Sequence, residues 1–65
     1  MNYSIVVPAY NEEDKITSTL TQIVNFMRSF TESFEVLIVN DGSSDGTASK
    51  VLDYSKDNPE VVLID

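Results

Sequence analysis

Two short apolar runs, Ile5-Val6-Val7 and Val36-Leu37-Ile38-Val39, each stop abruptly at a polar, turn-forming cluster. The first cluster is Pro8-Ala9-Tyr10-Asn11-Glu12-Glu13 and the second is Asn40-Asp41-Gly42-Ser43-Ser44-Asp45. Beyond each cluster the apolar positions change period. Ile16, Leu20, Ile23, Val24 and Met27 recur at three- and four-residue intervals and end near Phe30; Ala48, Val51, Leu52 and Tyr54 follow the second cluster. Short β-branched runs predict strands, and the longer period predicts helices with one buried stripe. A last run, Val61 to Ile64, follows Asn58-Pro59, which stops the second helix. The pattern therefore reads β-α-β-α-β, with strands over residues 4–7, 34–39 and 61–64. Asn11 is expected to cap the first helix, with Glu12, Glu13 and Asp14 in its first turn facing the positive end of the dipole. Asp45 or Ser44 is expected to cap the second.

The strands are apolar at nearly every position instead of alternating. Such runs belong to parallel strands covered on both faces. Right-handed crossovers stepping in one direction, however, place both helices on the same face. The reading is an α/β fold, a βαβαβ unit with a three-stranded parallel sheet of order 3-2-1 and strand one at an edge that pairs onward. The second face then carries bare Val, Ile and Leu side chains. Either the domain continues past Asp65 or a second molecule covers that face, and continuation is the expectation taken here.

Composition narrows the classes. Sixty-five residues make at most one small domain, and a chain of this size buries only about 60% of its unfolded surface. No cysteine is present to form a disulfide or thiolate site, which permits a cytoplasmic location. Met1 stands close to the first strand without a basic and then apolar leader, so no signal peptide is expected. No apolar run approaches the roughly 20 residues of a membrane helix. Eleven acidic against four basic residues give a net charge of −7. That balance argues against a nucleic-acid backbone as partner, and a phosphate-bearing ligand would need a metal ion or cations from elsewhere.

No G-x-G-x-x-G or P-loop pattern occurs. Without histidine or cysteine there is no nucleophile–histidine pair and no ordinary zinc site. Asp41-x-Ser43-x-Asp45-Gly46 imitates the first half of an EF-hand loop. It follows a strand, however, and Leu52 stands where the bidentate glutamate belongs.

The two strand-end clusters resemble a known family. Val6-Val7-Pro8-Ala9-Tyr10-Asn11-Glu12 and Val39-Asn40-Asp41-Gly42-Ser43-Ser44-Asp45-Gly46-Thr47 are similar to the N-terminal nucleotide-binding half of family 2 glycosyltransferases of the GT-A, Rossmann-like fold. Within that family the chain is most similar to the polyprenyl- or dolichyl-phosphate mannosyl- and glucosyltransferases. The resemblance runs the length of the chain and implies that residues 1–65 are a partial nucleotide-binding domain. It implies that Pro8, Ala9, Tyr10 and Glu12 line a nucleoside pocket, and that Asp41 contacts the base. The chemistry agrees. An ionised Asp41 only accepts hydrogen bonds, which suits the imide of uracil or the N1–H and amino group of guanine. Tyr10 offers a ring for stacking, Glu12 an acceptor for ribose hydroxyls, and Gly42 close backbone approach.

For the full-length enzyme the resemblance implies a UDP- or GDP-sugar donor, a polyprenyl-phosphate acceptor, a divalent cation (Mg or Mn) and membrane association. The family's metal-binding Asp-x-Asp and its acceptor-activating carboxylate lie further along than Asp65. This chain alone is therefore expected to bind no metal and not to turn over. Blander roles compete at each position: Pro8 as a strand terminator, Asn11 and Asp45 as caps, Glu13 and Asp14 as surface acids, and Ser43 and Ser44 as turn residues. The alternatives at the level of function are a self-standing dimeric βαβαβ nucleotide-binding module without catalysis and a flavodoxin-like interaction domain.

Overall fold

The computed structural model describes residues 3–64. Their order is β1 (Tyr3–Ala9), α1 (Ile16–Arg28), β2 (Phe34–Asn40), α2 (Thr47–Asp57) and β3 (Val61–Ile64). The sheet is parallel with order β1-β2-β3, as expected for two successive crossovers stepping the same way. Tyr3 pairs with Phe34 and Ala9 with Asn40, while Val36 pairs with Val61 and Val39 with Ile64.

One face of the sheet carries both helices. Val36 and Ile38 of β2, Val61 of β3 and Ala9 of β1 are buried there with Ile16, Leu20 and Val24 of α1 and Val51 of α2. Leu20, Val36, Ile38 and Val51 are fully enclosed. The helices also touch each other, the Tyr54 hydroxyl donating to Thr21 Oγ1 at 3.3 Å. Arg28, at the end of α1, reaches Glu60 at 3.1 Å and Asn58 at 3.1 Å, tying that helix to the turn before β3.

The other face is bare. Val6 is 61% exposed, Val62 41% and Ile64 44%, with Leu37 and Val39 half-buried between them. Apolar strand residues on both faces follow from the uniform apolar runs, and helices on only one face from two right-handed crossovers stepping the same way.

Several local expectations are corrected. β1 is longer than residues 4–7 and runs through Pro8 to Ala9, so Pro8 does not terminate it. Tyr3 donates its N–H to the Ser33 carbonyl, and Ala9 accepts the Asp41 N–H. The odd residues of β1 therefore point their backbone groups at β2, and the even ones point outward. The N–H that proline lacks would face the outer edge, where it removes no bond within this sheet. Asn11 does not cap α1, and the helix has no acidic residue in its first turn. Asn11 sits instead in the left-handed region with φ of 50°, which asparagine tolerates better than most residues. The Glu12 carbonyl then accepts both Lys15 N–H at 2.9 Å and Ile16 N–H at 2.8 Å, so the helix winds up only from Ile16. At its other end α1 stops at Arg28, leaving Phe30 54% exposed and outside the helix. Phe30 packs on the Tyr3 ring with centroids 5.0 Å apart. In α2, Leu52 is 52% exposed and outside the buried stripe, while Thr47 is buried.

Candidate functional site

The carboxyl ends of β1 and β2 lie side by side, because Ala9 and Asn40 are in register. One further bond, Asp41 N–H to the Ala9 carbonyl at 2.9 Å, continues the ladder past the strand ends. Tyr10 and Asp41 thus leave the sheet as neighbours. The crevice beyond the carboxyl ends of parallel strands is where α/β sheets bind ligands.

Beyond the sheet, the two loops are laced together by their own polar groups. Asn11 N–H donates to Ser43 Oγ at 2.9 Å, and Ser44 N–H donates back to Asn11 Oδ1 at 2.9 Å. Glu12 N–H donates to Thr47 Oγ1 at 2.9 Å and Glu13 N–H to Asp45 Oδ2 at 3.3 Å. Gly46 N–H donates to Glu13 Oε1 at 3.1 Å. Asp45 Oδ1 accepts both the N–H and the hydroxyl of Thr47. Within the second loop, Ser43 N–H donates to Asn40 Oδ1 at 3.2 Å.

Asp45 thus does the work of a cap from one residue before the Gly46 N-cap position, since its carboxylate takes the Thr47 N–H. The Thr47 hydroxyl beside it is the main cause holding the Asp45 carboxyl below its ordinary value of 3.8. Hydrogen bonds to the charged form favour it.

This lacing clears the remaining side chains for other work. Among the described residues, none hydrogen-bonds the carboxylate of Glu12 or Asp41, and both residues are exposed. Tyr10 is 60% exposed. Gly42 holds φ of 71° with open space around it, so glycine is favoured there by conformation and leaves the backbone uncovered. Pro8 and Glu12 share a small cleft with Val7, Ile16 and Thr19. Ala9 is different. It is 2% exposed and belongs to the core, so its carbonyl, not its methyl group, shapes the loop junction. The structure therefore places Tyr10 beside Asp41 and Gly42 at the strand ends, puts Glu12 in a cleft with Pro8, and buries Ala9 beneath them.

Asn11, Glu13, Ser43 and Asp45, which the sequence reads as caps, turn formers or surface acids, join the loops together with Thr47, which the sequence does not single out. The one readable signal is the density of short polar side chains after both strands. Among the described residues, no group of three or more acidic side chains is placed to hold a metal ion, and no helix is long and apolar enough to cross a membrane.

A parallel βαβαβ unit with a polar rim at its carboxyl end defines the chain as an α/β domain of Rossmann-like architecture. Residues 4–65 match the model of glycosyl transferase family 2, and the chain belongs to that family. It is 42% identical over 66 residues to a dolichyl-phosphate beta-glucosyltransferase of Trichomonas vaginalis, covering 94% of this chain and 20% of that protein. It is 42% identical over 65 residues to an uncharacterized glycosyltransferase of Bacillus subtilis, covering 100% of this chain and 20% of that protein. The dolichyl-phosphate beta-glucosyltransferase of Drosophila melanogaster is 39% identical over 61 residues, covering 86% of this chain and 19% of its own length. The chain thus spans about one fifth of the length of the curated relatives it matches.

Proposed function

We propose that these residues are the nucleoside-binding part of a glycosyltransferase that moves a sugar from a UDP- or GDP-sugar to a polyprenyl phosphate. Two of the relatives are dolichyl-phosphate beta-glucosyltransferases, which favours glucosyl transfer to dolichyl phosphate. One observation carries the reading: the loops after β1 and β2 are bonded to each other through Asn11, Glu12, Glu13 and their partners, while among the described residues the carboxylates of Glu12 and Asp41 remain unengaged. Preorganised, unspent acceptors on a tied scaffold are what a small polar ligand requires.

In this reading Asp41 accepts from the base, Tyr10 stacks on it, and Glu12 accepts from the ribose. Gly42 and Pro8 border the pocket, with the Ala9 carbonyl holding the floor. A divalent cation, Mg or Mn, serves the full-length enzyme in the same reading. The described residues offer no group of three ligands for it. The 65-residue chain alone is expected not to turn over and to bind nucleotide weakly.

Calorimetry of the full-length enzyme against UDP, GDP, CDP and ADP tests the assignment. Asp41→Asn keeps the size and removes a charge-assisted bond of about 1.5–3 kcal/mol, a weakening of about tenfold to a hundredfold. UDP or GDP should bind best, and the variant should lose that preference. Equal affinity for all four nucleotides, or an unaffected variant, would assign Asp41 to the turn alone.

A further inference from the structure

Thr47 is the one buried polar residue among those described, with 0% exposure, and it lies more than thirty residues along the chain from the group it serves. Its hydroxyl is used twice. Glu12 N–H donates to Oγ1 at 2.9 Å, and the hydroxyl donates to Asp45 Oδ1. The direction is forced at both ends. An amide N–H only donates, and an ionised carboxylate only accepts. Asp45 is fixed in turn by Glu13 N–H at Oδ2 and by Thr47 N–H at Oδ1. The result is a closed ring from Glu12 through Thr47 and Asp45 to Glu13, with Glu12 and Glu13 adjacent in sequence. The Glu12 carbonyl meanwhile starts α1 through Lys15 and Ile16. Both backbone groups of Glu12 are committed, and only its side chain is free. Asp41 is held otherwise, by its N–H on the Ala9 carbonyl.

We infer that Thr47, its hydroxyl held by Asp45, is a positioning residue that sets the Glu12 carboxylate for the ribose while leaving the base contact of Asp41 untouched. The inference rests on the nucleoside-binding reading above. It goes beyond that reading in dividing the rim into two separately anchored halves. A residue that only stabilised the fold would weaken both halves together. A positioning residue for Glu12 alone changes the ratio between them.

The test uses the full-length enzyme and two ratios measured by calorimetry: UDP against 2′,3′-dideoxy-UDP for the ribose half, and the better of UDP and GDP against CDP for the base half. Wild type should favour the ribonucleotide by about tenfold, the worth of one hydrogen bond to a charged acceptor. Thr47→Val keeps the shape and removes the hydroxyl; it should bring the ribose ratio close to one and leave the base ratio intact. Thr47→Ser retains donor and acceptor and should restore the ribose ratio. Asp45→Asn, at an exposed position, keeps one acceptor oxygen but not both, and should give an intermediate ribose ratio even if Thr47→Val does not fold. A ribose ratio unchanged in both Thr47→Val and Asp45→Asn, or in Asp45→Asn alone where the valine variant does not fold, overturns the inference. So does a fall of the base ratio in parallel with it. A wild type that shows neither ratio overturns the nucleoside reading itself, which is a separate result.

Discussion

Glu13 and Gly46 face each other across the two loops at a separation with no room to spare. Gly46 N–H donates to Glu13 Oε1 at 3.1 Å, and a Cβ on Gly46 would stand 2.8 Å from Glu13 Oε2. Gly46 has an ordinary φ of −83°, so a side chain there meets only the glutamate, not backbone strain. Gly46→Ala should push the carboxylate away and destabilise the protein by about 0.5–1.5 kcal/mol through the lost hydrogen bond. In a Glu13→Ala background the same change should be neutral or stabilising by about 0.4–1 kcal/mol, because alanine reduces the freedom of the unfolded chain. A double-mutant cycle by urea denaturation of the full-length protein measures the difference. Additive effects would mean that the two residues do not touch in solution.

Acid should open the same lacing from another side. The folded-state pKa of Asp45 is lowered, first by the Thr47 hydroxyl. A lowered carboxyl contributes stability that is present above its unfolded value and is lost as pH falls through the folded one. The loss should therefore begin below the ordinary value of 3.8. Denaturation midpoints of wild type and Asp45→Asn, followed downward from neutral pH, should differ at neutrality and converge below that value. A gap that stays constant into acid would remove Asp45 from the titrating contacts.

The bare sheet face makes a prediction about assembly. Val6, Leu37, Val39, Val62 and Ile64 form an apolar surface with nothing described to cover it. Contiguous apolar patches beyond a few hundred Å2 are rare on soluble monomers. The isolated 65-residue chain should associate in a concentration-dependent way or fold poorly. A Val6→Lys, Val62→Lys double variant should suppress the association. Sedimentation equilibrium decides it, and a sharply melting wild-type monomer would mean that the face tolerates water.

The elements themselves are legible in the chain because they rest on local patterns. Val36 to Val39 and Val61 to Ile64 are strands by composition, and Leu20, Val24 and Met27 mark the buried stripe of α1 by spacing alone. The loops are another matter. Asn11 has every local attribute of a helix cap, yet its side chain accepts from Ser44, 33 residues away. Glu13 looks like a surface acid and bonds Gly46, also 33 residues away. Such partners depend on strand register, which brings Ala9 beside Asn40, and no neighbouring residue announces them. Thr47 was hidden for the same reason: a lone threonine at the head of a helix gives no sign that it is fully buried.

Pro8 has a consequence for how the sheet grows. The outward-facing positions of β1 are Ser4, Val6 and Pro8, and only the first two own an N–H. A further strand laid along that edge finds donors at Ser4 and Val6 and none at Pro8. Its pairing must therefore relax one residue before β1 ends, at the side where Tyr10 and Glu12 emerge. The missing hydrogen thus acts as a built-in wedge: it lets a neighbouring strand join β1 at its base and part from it at its tip.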